Sequence, residues 1–291
     1  MGRIQSWLAS SLWDGCRHAA LGGLCLVALS ACAHPAGKAE HSPRRIVSLD
    51  YCADQYLLRF AERGDILALS IDAQKSFSYM RKEAAGLPQV RPRAADVQAV
   101  EPELVIRSYG GGPNVSGFLE SAGVPVLQIG FPGTIADVRA ETLRIGTELG
   151  HPEQAEALVA DMDIRLARVA KGVARETLYI TPAGVAAGRG TIVDELFKAS
   201  GLANFQTRPG WNPIPLERLA YERPEQIALG FSDSNRDRID TWSAARHPIA
   251  QAQLRDLSVI PIKGAWTACG GWFLVEAVEA LAAGKPGETA R

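Results

Sequence analysis

The chain has 291 residues, 47% of them hydrophobic and 22% charged, with a formal net charge of −1. That composition is ordinary for a globular protein and leaves room for two lobes of typical domain size. The near-neutral balance, with no basic patch interleaved with aromatics, excludes nucleic acid as a partner.

Residues 1–31 read as a leader rather than as part of the fold. Arg17 and His18 precede an apolar run over residues 19–29, too short to span a bilayer comfortably. At its end Leu29-Ser-Ala-Cys32 resembles the lipobox of bacterial lipoproteins. That resemblance implies cleavage before Cys32, a diacylglyceryl group on its thiol, and a periplasmic protein anchored to a membrane by lipid. By the sorting rule of Gram-negative lipoproteins, Ala33 would not retain it at the inner membrane. Residues 32–43, with two prolines, form a polar tether. Cys16 and Cys25 leave with the leader, so Cys52 and Cys269 are the two thiols remaining in an oxidising compartment. A disulfide between them is one reading.

A first α/β lobe is expected over residues 44–136. Arg45-Ile-Val-Ser-Leu49 is a short apolar strand, followed by a loop over residues 50–54 and a helix over 55–60. Residues 66–70 form a second strand, and 72–85 a polar loop or irregular helix carrying Phe77, Tyr79 and Met80. Residues 96–100 predict a short helix, ended by the Pro-Glu step at 102–103, with a strand to Arg107. The glycine-rich stretch 108–114 feeds a helix over 115–122, and 123–129 returns as strand. Residues 137–171 predict a long connector, broken at His151-Pro152. Thr134 and Asp137 resemble a capping box, and Pro152 suits a first helical position. In its second half Ala155, Leu158, Val159, Met162, Leu166 and Val169 share one apolar face.

A second lobe is expected over residues 172–291. It has strands at 177–181, 226–229 and 259–262, a helix opened by Thr191 and Asp194, loops at 211–215 and 263–271, and a closing helix over 272–283. Residues 216–229 repeat the pattern of 95–107: short helix, Pro-Glu step, apolar strand. The fold expected is α/β, two Rossmann-like lobes with mostly parallel sheets, joined by a single long connecting helix. A cleft between such lobes is a preferred ligand site.

Several phrases carry a family resemblance: Arg45-Ile-Val-Ser-Leu-Asp50, Glu101-Pro-Glu-Leu-Val-Ile106 and Gly123-Val-Pro-Val126, with the order of elements around one connector. Over residues 45–281 the chain resembles the class III (cluster A-II) substrate-binding proteins of ABC importers, which bind cobalamin and ferric siderophores. The resemblance implies little hinge motion, a chelate held between the lobes, and a permease with its ATPase as partners. It implies a monomer with no cofactor and no enzymatic activity. That family docks through one Glu per lobe, at the start of the repeated helices. Glu217 falls on the matching position; in the first copy the position is Ala95, with Asp96 beside it. Acidic groups there would pair with permease arginines.

The residues themselves suggest a ligand site. Tyr51, Phe77, Tyr109, Trp211, Trp242 and Trp266 fall in loops, where flat aromatic walls suit a large, rigid, partly apolar ligand. Tyr109 with Gly110 and Gly111 lies at a strand end, where free N–H groups would meet a carbonyl or anion. Arg189, between Gly188 and Gly190, is placed to pair with anionic groups. Cys52 and Cys269 both lie in strand-to-helix loops, and three readings stand: a bond across the cleft, free thiols near the ligand, or metal ligation. Two thiols without a histidine make a poor metal site, and no histidine pair has ligand spacing. Other classes are an accessory lipoprotein that binds a partner protein, and a Cys-dependent enzyme. Cobalamin, ferric siderophore and haem are not separated by sequence.

Overall fold

The computed structural model describes residues 45–170, 174–233 and 243–284. The leader, the lipidation site Cys32, the tether to residue 43, and Trp242 lie outside the described residues.

The first lobe is built on one parallel sheet. Its strand β1 (Ile46–Ser48) is fully buried. Asp50 then caps α1 (Tyr51–Phe60), its carboxylate accepting the Ala53 N–H at 3.0 Å. There follow β2 (Ile66–Ser70), β3 (Gln89–Val90), α2 (Ala94–Gln98), β4 (Leu104–Arg107), α3 (Val115–Ser121) and β5 (Val126–Gln128). The five strands run parallel in the order β3-β2-β1-β4-β5. The chain therefore turns outward in opposite directions from β1 and β4. The crevice beyond their carboxyl ends is the topological switch point at which open α/β sheets bind ligands.

The predicted connector divides into α4 (Ile135–Glu148) and α5 (Pro152–Arg168). The capping box of Thr134 and Asp137 forms, and Pro152 opens α5. The two helices pack as an antiparallel hairpin. Arg139 donates to Asp163 at 2.6 Å near its open end, and a Cβ on Gly146 would lie 2.4 Å from that of Ala155 near its turn. Gly150, at φ +88°, makes the turn possible. The first half of the predicted connector thus folds back onto α1, and the stretch is two helices rather than one.

The second lobe comprises β6 (Glu176–Ile180), β7 (Val185–Ala187), α6 (Ile192–Ser200), β8 (Ala203–Asn204), β9 (Trp211–Pro213), α7 (Leu216–Leu219), β10 (Gln226–Leu229), α8 (Pro248–Leu254), β11 (Ser258–Pro261), α9 (Gly264–Thr267) and α10 (Val275–Ala283). Strands β11, β10, β6 and β8 are mutually parallel, while β7 pairs antiparallel with both β6 and β9. Residues 211–213, expected as loop, form β9 by pairing with β7. Thr191 caps α6 through the Asp194 N–H, as its sequence predicts.

One apolar cluster runs through both lobes. It joins Tyr56, Leu57 and Phe60 of α1, Ile145 of α4, Leu158 and Met162 of α5, Leu196 and Phe197 of α6, and Val275, Val278 and Leu281 of α10. A shared core of this kind opposes hinge motion between the lobes. Trp272, 7% exposed, belongs to it.

Asp54 of α1 is fully buried, and its carboxylate accepts from the Ser70 N–H at 3.0 Å and the Ser70 hydroxyl at 2.6 Å. Burial pushes its pKa up to about 6, against the hydrogen bonds that lower it. A carboxyl raised in the folded state stabilises most below its unfolded pKa and loses that contribution as pH rises through the folded one. Relative to Asp54→Asn, the wild type is expected to lose about 2 kcal/mol between pH 4 and pH 7. Thermal melts of both proteins across that range check this, and parallel pH profiles would refute it.

Candidate functional site

A cleft of about 460 Å³ opens where the carboxyl ends of the first sheet meet the second lobe. From the first lobe come Cys52, Ser108, Tyr109 and residues 129–133. From the second come residues 190–192, Gly210, Trp211 and residues 267–270. Its volume lies in the range of small-molecule sites.

Three aromatic side chains stand free in it. Tyr109 is 44% exposed, Trp211 54% and Phe131 75%. Tyr51 and Phe77 lie behind Tyr109 as support: the Tyr51 ring is 5.8 Å from that of Tyr109 and 4.8 Å from that of Phe77. The Tyr109 phenol is pushed above its ordinary pKa, chiefly by burial of its inner part and then by Tyr51. It therefore meets a ligand as a neutral hydroxyl. Trp211 in turn is braced edge-on by Tyr179 at 6.1 Å.

The glycine-rich loop after β4 departs from its expected role. The N–H groups of Ser108, Tyr109 and Gly110 all donate to the Asp50 carboxylate, at 2.7, 3.0 and 2.8 Å. They are occupied from inside the protein, and the Gly110 N–H is closed to a ligand. Gly110 serves close approach instead, since a Cβ there would fall 2.3 Å from the Leu49 carbonyl oxygen. Gly111 is exposed and lies outside the cleft lining. The loop nonetheless fixes Tyr109, because the same carboxylate that caps α1 holds its backbone.

Other expected residues divide. Arg189 is exposed and absent from the lining; its carbonyl accepts the Gly210 N–H at 3.0 Å, which holds the turn that carries Trp211. Trp266 packs against the core with Lys263 over its ring at 4.8 Å. Cys52 and Cys269 both line the cleft and are joined by a disulfide, with Cα atoms 5.4 Å apart. Of the three readings for them, the bond across the cleft is the one observed. Among the described residues, no group of three or more His, Cys, Asp and Glu side chains is placed to hold a metal ion.

The sequence reading missed residues 130–133, Gly-Phe-Pro-Gly, passing from the strand before them to the helix after them. Their position beyond the end of β5 was the available signal, the same rule that singled out Tyr109. Thr191 and Thr267, which also line the cleft, carry no such mark.

Glu217 and Asp96 lie in the first turns of α7 and α2. They are not equivalent. Glu217 is exposed and makes none of the ion pairs found among the described residues. Asp96 is held by Arg91, Nε to Oδ2 at 2.9 Å.

A model of the periplasmic binding protein family matches residues 95–241, half of the chain. This chain belongs to the periplasmic binding protein family. Its α/β fold and its likeness to the class III substrate-binding proteins stand on the same findings. Like its structural relatives, the family is one of binding proteins rather than enzymes, and it places the chain in the periplasm. A cobalamin-binding protein of Halobacterium salinarum, recorded for two strains, is 24% identical over 217 residues. The match covers 71% of this chain and 58% of that protein. The fold is shared with a periplasmic haem-binding protein from Pseudomonas aeruginosa (23% identity, 85% of this chain and 94% of that one, TM-score 0.65). It is also shared with a protein of an ABC-type Fe3+-hydroxamate transport system from Saccharomonospora viridis (18% identity, 83% and 93%, TM-score 0.64).

Proposed function

We propose that this periplasmic binding protein is the substrate-binding component of an ABC importer, and that its cargo is a metal chelate, a ferric siderophore or cobalamin. The cargo sits in the interlobe cleft, against Tyr109, Phe131 and Trp211. The observation that carries this reading is the cleft itself: about 460 Å³, walled by three exposed aromatic rings on two lobes that share a core. Tyr109 and Trp211, each braced by a neighbouring ring, suit a flat or rigid partner, because little ordering of them is left for binding to impose. A lipid on Cys32 holds the protein at a membrane, and Glu217 with Asp96 meets the permease.

Titration of the purified protein with cyanocobalamin, a ferric trihydroxamate and haemin in parallel, followed by tryptophan fluorescence, tests the reading. Saturable quenching by one chelate is expected, and Trp211→Ala should weaken that binding about 10- to 100-fold. Failure of all three to bind would remove the chelate reading.

Docking makes a separate prediction. Glu217→Arg should leave chelate affinity unchanged and reduce permease-dependent uptake at least about tenfold, by placing like charge against permease arginines. Asp96→Arg should have a smaller effect, because Arg91 already engages that carboxylate. Full uptake by Glu217→Arg would remove the docking assignment.

A further inference from the structure

Two layers of contact tie the lobes together, at different depths. The deeper one is broad. The rings of Tyr79 and Phe273 stack at 4.5 Å, Tyr56 meets Trp272 edge-on at 5.4 Å, and Arg165 of the connector grips Glu276 and Glu279 of α10 at 3.2 and 2.6 Å. The layer at the cleft surface is narrow. There the Tyr56 hydroxyl donates to the Gly270 carbonyl at 3.2 Å, Gly270 lies against the ring of Pro132, and Cys52 is bonded to Cys269.

The narrow layer governs one wall of the cleft, residues 267–270. Residues 268–270 of that wall lie outside helix and strand. The preceding helix α9 has four residues and no side-chain cap, and Gly270 and Gly271 follow it. Cys52, by contrast, sits in the first turn of α1, which is fixed by the buried Asp50 cap. The covalent bond therefore joins a short loop to a capped helix, on the lining of the cleft.

We propose that the Cys52–Cys269 disulfide sets the working width of the cleft, so that reducing it releases the wall at residues 267–270 and weakens retention of cargo. The cargo half of this rests on the chelate-binding reading above; the movement of the wall does not. The chemistry needs a dithiol, small or protein-borne. One of its thiolates attacks a disulfide sulfur, and its second sulfur displaces the mixed disulfide. Cys52 and Cys269 leave as two thiols carrying the two electrons and two protons, and the dithiol closes to its own disulfide. The deeper layer contains no part of this bond, so the lobes remain folded together.

Linkage adds a second consequence. If reduction lowers cargo affinity by a given factor, bound cargo must disfavour reduction by the same factor. Both cysteines line the cleft, so a loaded protein also shields the bond from the dithiol.

The test uses the purified protein, oxidised or reduced with dithiothreitol, with thiols counted by alkylation and mass spectrometry and folding followed by circular dichroism. Hydrogen–deuterium exchange without cargo should rise on reduction in peptides covering residues 264–271 and 129–133, and not across the sheets. Affinity for cyanocobalamin or the ferric trihydroxamate, whichever saturates the oxidised protein, should fall at least about tenfold and return on reoxidation. The double variant Cys52→Ala, Cys269→Ala should match the reduced protein and ignore dithiothreitol. Unchanged exchange in fully reduced, folded protein would overturn the proposal, as would loss of the whole fold on reduction, which would make the bond a fold staple. If the oxidised protein binds neither chelate, the cargo reading fails, while the exchange result still decides whether the bond holds the wall.

Discussion

Removal of the Cys52–Cys269 cross-link, by reduction or by replacing both cysteines with alanine, is expected to lower the unfolding free energy by about 4–5 kcal/mol. The cause lies mainly in the unfolded chain. The bond spans 217 residues, nearly the whole folded sequence. In the chain-entropy model a loop of that length removes about 5 kcal/mol of freedom from the unfolded ensemble. The melting temperature should fall by on the order of 10 °C, since 1 kcal/mol moves a protein of this size by about 2–4 °C. The denaturant slope should also rise, because an unbridged chain exposes more surface when it unfolds. Urea titrations of oxidised and reduced protein check both quantities. A change below about 1 kcal/mol would mean that the reduced chain keeps a closed loop by other means.

What the sequence made legible follows the range over which each signal acts. The caps at Thr134 and Thr191 were readable, because the groups they satisfy lie three residues away. The alternation of strand and helix was readable from short apolar runs between breakers. The repeated Pro-Glu units correctly placed α2 with β4 and α7 with β10. The fold-back of α4 onto α5 was not, since a proline marks where a helix starts but not the angle between neighbours. That angle rests on Gly146 meeting Ala155 and on Arg139 meeting Asp163. Strand β9 was missed for a similar reason: Trp-Asn-Pro has no strand pattern, and only its pairing with β7 makes it one. In the site, Tyr109 and Trp211 both line the cleft, but sequence does not say which ring faces the cleft and which supports another. Tyr51 and Phe77 proved to be supports, and Phe131 was overlooked. The two cysteines could be counted but their separation could not. The glycine-rich loop misled because its true partner, Asp50, is 58 residues from Ser108 in sequence.

That carboxylate makes the second large effect predictable. Asp50 is 3% exposed, with one oxygen on the α1 N-terminus and the other receiving three N–H groups from the loop after β4. It thus joins the two strand ends that flank the switch point. Asp50→Ala would leave four N–H donors without this acceptor at the base of the cleft. A buried unsatisfied donor costs about 1–3 kcal/mol, and the loss of an N-cap about 1 kcal/mol, but the loop can relax toward water. A net destabilisation of about 4 kcal/mol is therefore expected, among the larger values for a single substitution. Asp50→Asn should not rescue it. One amide oxygen can satisfy the cap or the loop, and its NH2 then points at donors. Both variants should also loosen Tyr109, so chelate affinity should fall more in Asp50→Asn than in Trp211→Phe, which keeps an aromatic wall. Urea unfolding and fluorescence titration of the variants test this. Stability within about 1 kcal/mol of wild type in Asp50→Ala would show that other groups already satisfy the loop.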